Sequence, residues 1–91
     1  MFTLSEENYL KAIYHLEQGT DGGINTNAIA EKLATKASSV TDMIKKLSEK
    51  EVVLYKKYKG VTLTGLGKTV AASVVRKHRL WEVFLVEKLN F

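Results

Sequence analysis

The stretch Thr26–Leu47, TNAIAEKLATKASSVTDMIKKL, decides how this chain folds. Ile29, Ala30 and Leu33 recur at helical spacing, and Val40, Met43, Ile44 and Leu47 do so again after a polar break at Thr35-Lys36-Ala37. Two short amphipathic helices joined by a turn of three or four residues form a helix-turn-helix. Ala30 is small where two such helices must cross closely. Ala34 is small where the chain turns, although glycine would enter a left-handed conformation more easily. The same spacing describes an ordinary helical hairpin, so the residues left outside the apolar stripe carry the distinction. On the second helix these are Ser38, Ser39, Thr41, Asp42, Lys45 and Lys46, with Lys36 just ahead. Short hydroxyls near the helix start, followed by lysines, suit a helix that enters a major groove. A solvated polar face that binds nothing is the competing account of this segment.

Downstream, Val52-Val53-Leu54-Tyr55-Lys56-Lys57 and Val61-Thr62-Leu63-Thr64 flank Tyr58-Lys59-Gly60. Two β-prone runs around a glycine-containing break predict a hairpin. Tyr55, Lys56, Lys57, Tyr58 and Lys59 place three lysines and two tyrosines in five residues near its tip. A basic hairpin directly after a helix-turn-helix is a wing. Lys56, Lys57 and Lys59 would contact a nucleic-acid backbone without reading sequence, and Tyr58 would stack, contact a sugar or simply pack the hairpin. Taken alone, lysines on an edge strand equally serve to prevent aggregation.

Upstream, Thr3 and Glu6 have the spacing of a capping box, and Tyr9, Leu10, Ile13, Tyr14 and Leu16 continue a first helix of three to four turns. Gly19-Thr20-Asp21-Gly22-Gly23 ends it, Ile24 can add a short strand, and Asn25 or Thr26 caps the next helix. At the other end, Thr64 is placed to cap a last helix with Leu66, Val70, Val74, His78, Trp81 and Leu85 on one stripe. From Gly65 to about Leu89 that helix would run roughly 37 Å, more than so small a core requires. It therefore points to a partner subunit or a further domain. The fold expected is mainly α with a small β-hairpin: a winged helix-turn-helix over residues 1–64, then a long linker or dimerisation helix over 65–91, leading into a dimerisation domain that the chain does not complete.

Ninety-one residues make one small domain with a modest core. The net charge of +4 is unevenly spread. Residues 1–35 hold two lysines against five acids (−3), residues 36–79 eleven Lys and Arg against three acids (+8), and the rest balance at −1. A basic middle between mildly acidic ends suits a polyanion-facing surface. There is no cysteine, which excludes disulfides and thiolate metal sites within the chain. No signal peptide or membrane-length apolar run is evident, so a soluble, cytoplasmic protein is expected.

Taken together, the segments resemble the N-terminal domain of the diphtheria-toxin-repressor family, including its manganese-responsive branch. The resemblance rests on Glu7-Asn8-Tyr9-Leu10-Lys11-Ala12-Ile13-Tyr14, Ile29-Ala30-Glu31-Lys32-Leu33, Ser38-Ser39-Val40-Thr41-Asp42-Met43 and Tyr58-Lys59-Gly60-Val61-Thr62-Leu63-Thr64. Gly67-Lys68, Arg76-Lys77-His78-Arg79-Leu80 and Glu82-Val83-Phe84-Leu85 complete it, the Arg-Lys-His-Arg-Leu block with Glu82 being the most specific part. It implies a homodimeric repressor of metal-uptake genes that binds a palindromic operator in double-stranded DNA when loaded with divalent iron or manganese. It also implies that His78 and Glu82 are metal ligands, one turn apart on the same helix face, and that the first-helix ligand stands at Asn8. The family usually has methionine or aspartate at that position, and a neutral amide oxygen is a weaker ligand. Lys11 replaces a carboxylate of the manganese branch, which argues against a two-metal site of that kind.

Two other readings stay open. A winged helix can bind protein instead of DNA, and a repressor can act without metal, with His78 and Glu82 then a structural pair. Salt dependence separates the first and chelator sensitivity the second. His15, with no second ligand type at helical spacing, reads as structural. An enzyme is not expected: there is no phosphate-binding glycine loop and no nucleophile with a base and orienting acid, and no small organic substrate or membrane partner is implied.

Overall fold

The computed structural model describes residues 2–19, 22–56 and 59–89, with side chains through Leu85. Its elements run α1 (Leu4–Glu17), α2 (Thr26–Leu33), α3 (Ala37–Glu49), β1 (Val53–Lys56), β2 (Gly60–Leu63) and α4 (Gly65–Leu89). Helix α1 starts with the full capping box: Glu6 N donates to Thr3 Oγ1 at 3.1 Å and Thr3 N donates to Glu6 Oε1 at 2.8 Å. Asn25 caps α2, its Oδ1 accepting from Asn27 N at 2.7 Å. At the start of α4, Thr64 Oγ1 accepts from Gly67 N at 2.9 Å. Each helix that follows a loop thus begins where a hydroxyl or amide oxygen satisfies an orphan amide, except α3, whose N-cap Lys36 makes no side-chain cap.

The turn between α2 and α3 is Ala34-Thr35-Lys36, with Ala34 in the left-handed region at φ 53° and ψ 47°. Leu10, Ile13, Ile29, Val40 and Leu47 are fully buried where α1, α2 and α3 meet. Strands β1 and β2 pair antiparallel, Val53 opposite Leu63 and Lys56 opposite Gly60. Ile24 adds a bridge to Val61, with N–H donation in both directions at 2.7 and 2.9 Å. This third contact requires backbones to lie close: a Cβ on Gly23 would fall 1.6 Å from the Lys59 carbonyl oxygen, and Gly60 itself has φ +85°. The hairpin is tied to α1 by Glu17, whose Oε2 accepts from Leu63 N at 3.0 Å.

Helix α4 packs chiefly on α1 over part of the predicted apolar stripe, with Val70, Val74, His78 and Leu85 turned inward and the buried face shifted toward Gly67 and Ala71. Gly67, Ala71 and Val74 are buried, with Val70 and His78 at the edges, whereas Leu66 and Trp81 are exposed. The cause is at Gly67: a Cβ there would lie 1.8 Å from the Val52 carbonyl oxygen. The helix backbone rests directly on the end of the α3–β1 loop, and this contact sets its rotation. Beyond Val74 the helix leaves the core, and the molecule is 46 Å along its longest axis against 25 Å across.

Candidate nucleic-acid interface and the α1–α4 seam

Helix α3 buries Val40, Ile44 and Leu47 and turns its polar residues outward apart from Ser48, which is half-buried with its hydroxyl donating to the Val53 carbonyl at 3.4 Å. Lys36, Ser38, Ser39, Thr41, Asp42, Lys45 and Lys46 are all exposed, on one continuous surface that begins at the helix N-terminus. Thr41 Oγ1 donates to the Ala37 carbonyl at 3.1 Å, so its proton is engaged within the helix and its oxygen and methyl face outward. Lys56 and Lys59 are exposed on the hairpin; Leu54 is exposed on the same face of β1 as Lys56, and Tyr55 on the opposite face, beside Thr41 and Lys45 of α3. Lys57 and Tyr58 lie outside the described residues. Within α3 Lys45 and Lys46 are balanced by Asp42 and Glu49, so the positive charge of this side comes from Lys36 at the N-cap and from Lys56 and Lys59 on the hairpin.

The far end of the molecule holds a second cluster. Glu7 lies in the first turn of α1, its side chain 16% exposed, and faces α4. Both its oxygens accept from Lys77 Nζ, at 2.7 and 2.8 Å, and Oε1 stands 3.7 Å from His78 Nε2. Donation from Lys77, assisted by its charge and that of His78, holds the Glu7 carboxyl below the usual carboxylate range despite its burial. One turn on, Lys11 Nζ stands 3.9 Å from Glu82 Oε1, with Glu82 68% exposed. The sequence places Asn8, His78 and Glu82 as candidate ligands. In the fold His78 is drawn into the seam, 18% exposed, whereas Asn8 and Glu82 stand in solvent on either side of it. Glu7 escaped the sequence reading. The signal was present in the opposite charges beside each candidate: Glu7 precedes Asn8, and Lys77 precedes His78.

Imidazole nitrogen and carboxylate oxygen are suitable donors for a divalent transition ion. Among the described residues, no three of His, Cys, Asp and Glu gather closely enough to hold one. The seam therefore offers part of a coordination sphere. Beside it, Leu4, Glu7, His78, Leu80, Trp81 and Phe84 help line an open groove of about 780 Å³. Trp81 and Phe84 stack in it with ring centroids 5.4 Å apart. His15 is exposed, edge-on to Tyr14.

A helix-turn-helix with a polar second helix, a β-wing behind it and a long helix leaving the core define the winged-helix class of DNA-binding regulators. Within that class the chain belongs to the iron dependent repressor family. Residues 1–61 match its N-terminal DNA binding domain and residues 64–91 its metal binding and dimerisation domain. This is a family of transcriptional regulators, not of enzymes. The HTH-type transcriptional regulator MntR of Bacillus subtilis is 42% identical over 85 residues, covering 93% of this chain and 59% of MntR. MntR of Oceanobacillus iheyensis is 41% identical, with 57% of its length covered. Among solved structures, the manganese regulator SloR aligns with 99% of this chain and 41% of its own at TM-score 0.83 and 44% identity. A MepR–DNA complex from S. aureus, at TM-score 0.81 and 23% identity, shares the fold. The chain thus spans about three-fifths of the length of these curated relatives. Among the described residues, no helix is long and apolar enough to cross a membrane.

Proposed function

We propose that this protein is a DNA-binding transcriptional repressor of metal-uptake genes that acts in the cytoplasm as a homodimer on a palindromic operator and responds to divalent manganese or iron. The observation that carries the reading is the unbroken exposed face from Lys36 to Lys46 beside a lysine-bearing wing, all within the +8 segment. Helix α3 enters the major groove N-terminus first. There Ser38, Ser39, Thr41 and Asp42 meet base edges, Thr41 as acceptor or through its methyl because its proton is held by Ala37. Lys36, Lys45 and Lys46 meet phosphates, and the first-turn amides of α3, which have no side-chain cap, are free to donate to one as well. On the wing, Lys56, Lys57, Tyr58 and Lys59 follow the flanking backbone.

His78, Glu82 and Asn8 are the residues of this chain that would hold the ion. A bound divalent cation would bridge α1 and α4 and so fix the angle at which the recognition surface is presented. The exposed apolar side of α4, with Leu80, Trp81 and Phe84, supplies the surface for dimerisation. A metal-independent regulator is the second reading. It is favoured by Lys77 and Lys11, which already pair with Glu7 and Glu82 across the seam. Operator binding measured with and without metal, in the wild type and in His78→Ala, decides between the two.

A further inference from the structure

Glu7, a carboxylate with no ligand role at the proposed metal site, lies half-buried against His78. Glu7 is not a capping residue: the box at the start of α1 is closed by Glu6. Nor does it contribute to the core, which lies on the Tyr9, Leu10 and Ile13 face. It points across the seam, with an oxygen 3.7 Å from His78 Nε2, and a lysine that donates to both of its oxygens keeps it there. A histidine that binds a metal through one ring nitrogen commonly donates its other N–H to a carboxylate, which fixes the ring and makes the ligating nitrogen more basic.

We propose that Glu7 is the positioning residue for His78: anchored by Lys77, it holds the imidazole by the Nε2 side so that the other nitrogen is presented to a divalent ion. The inference rests on the metal-dependent reading above. It gives the three residues different roles. His78 touches the ion, Glu7 acts only through His78, and Lys77 only keeps Glu7 in place. Removing Glu7 then harms metal binding more than removing Lys77, because without Lys77 the carboxylate is loosened but not lost from the seam.

The test is titration of the full-length protein with manganese(II) alone, for the wild type, Glu7→Gln, Glu7→Asp, Lys77→Gln and His78→Ala. All are compared at a temperature where circular dichroism gives each its full helix content. Glu7→Gln should weaken manganese affinity by about 10–100-fold, with Glu7→Asp between it and the wild type and Lys77→Gln within about threefold of wild type. Equal losses in Glu7→Gln and Lys77→Gln would reduce Glu7 to the structural partner of Lys77 and overturn the proposal, as would a Glu7→Gln protein that binds like wild type. If His78→Ala also binds like wild type, the ion does not use this seam, and the metal reading fails together with the inference.

Discussion

Lys50 Nζ lies 2.8 Å from Glu6 Oε2, which joins the end of α3 to the first turn of α1. Glu6 is 4% exposed and also closes the capping box, while the Lys50 ammonium sits 4.9 Å above the Phe2 ring. One carboxylate therefore serves the start of α1 and ties it to the end of α3. Glu6 and Glu7 are consecutive, so the same helical turn is bound to α3 on one side and to α4 on the other.

This arrangement makes the protein sensitive to acid. Donation from Lys50, helped by Thr3, holds the Glu6 pKa below that of a free carboxyl, and Lys77 does the same for Glu7. Both groups bind protons less readily folded than unfolded. Their stabilisation is therefore complete above pH 4.5 and is lost as the pH falls from there through the lower folded values. Glu6→Gln should cost about 1 kcal/mol at neutral pH, limited because Lys50 remains partly in water, and should flatten the stability loss between neutral and acid pH. Urea unfolding as a function of pH reads both effects.

Ala34 occupies a left-handed conformation that costs an L-residue about 1–2 kcal/mol. Ala34→Gly removes that cost but adds freedom to the unfolded chain, so a net gain of about 0.5 kcal/mol is expected. Thermal melts should show it as a small rise in Tm, with DNA affinity unchanged, because the turn carries none of the proposed base contacts.

Two substitutions separate positioning from reading of DNA. Lys56→Ala should weaken binding to every duplex alike and lower the slope of log affinity against log salt by about 1 per protomer. Thr41→Ala should change which operator variants are preferred, by about 1–3 kcal/mol at the affected base pair, with the salt slope intact. Unaltered preference after Thr41→Ala would remove it from the set of reading residues.

Trp81 is 59% exposed and stacks on Phe84 at the end of α4 that has left the core. On the homodimer reading this surface becomes buried between copies, and Trp81→Glu should weaken dimerisation by at least about 2 kcal/mol. Sedimentation velocity over a concentration series gives the constant. Helix content should be unaffected, since within its own chain Trp81 stacks on Phe84 of the same helix and is otherwise largely exposed.

Much of this fold is legible in the sequence because it depends on local chemistry. Thr3 with Glu6, Asn25 and Thr64 announce helix starts by hydroxyl, amide or carboxylate chemistry within three residues. The α2–α3 pair is given by its apolar spacing. The rotation of α4 is not legible in that way. The apolar stripe finds Val70, Val74 and Leu85 but also chooses Leu66 and Trp81, which are exposed, because a missing side chain at Gly67 rests against a backbone carbonyl fifteen residues earlier, at Val52. The same limit applies to the seam. Glu7 meets a partner 70 residues away, so only the fold brings carboxylate, ammonium and imidazole together. His78 is singled out by the family resemblance of its Arg-Lys-His-Arg-Leu block with Glu82, whereas the residue that faces it is not.

The central claim is that a basic winged helix reads DNA under the control of a metal at the α1–α4 seam. Its most direct test is fluorescence anisotropy of the full-length protein on duplex DNA from upstream of its own gene, with manganese, with ferrous iron and with chelator. The account predicts binding that appears with metal, is abolished by chelator and is lost in His78→Ala. Equal binding in all three conditions, unchanged by His78→Ala, would contradict metal control and leave a DNA-binding protein in which the seam only holds two helices together.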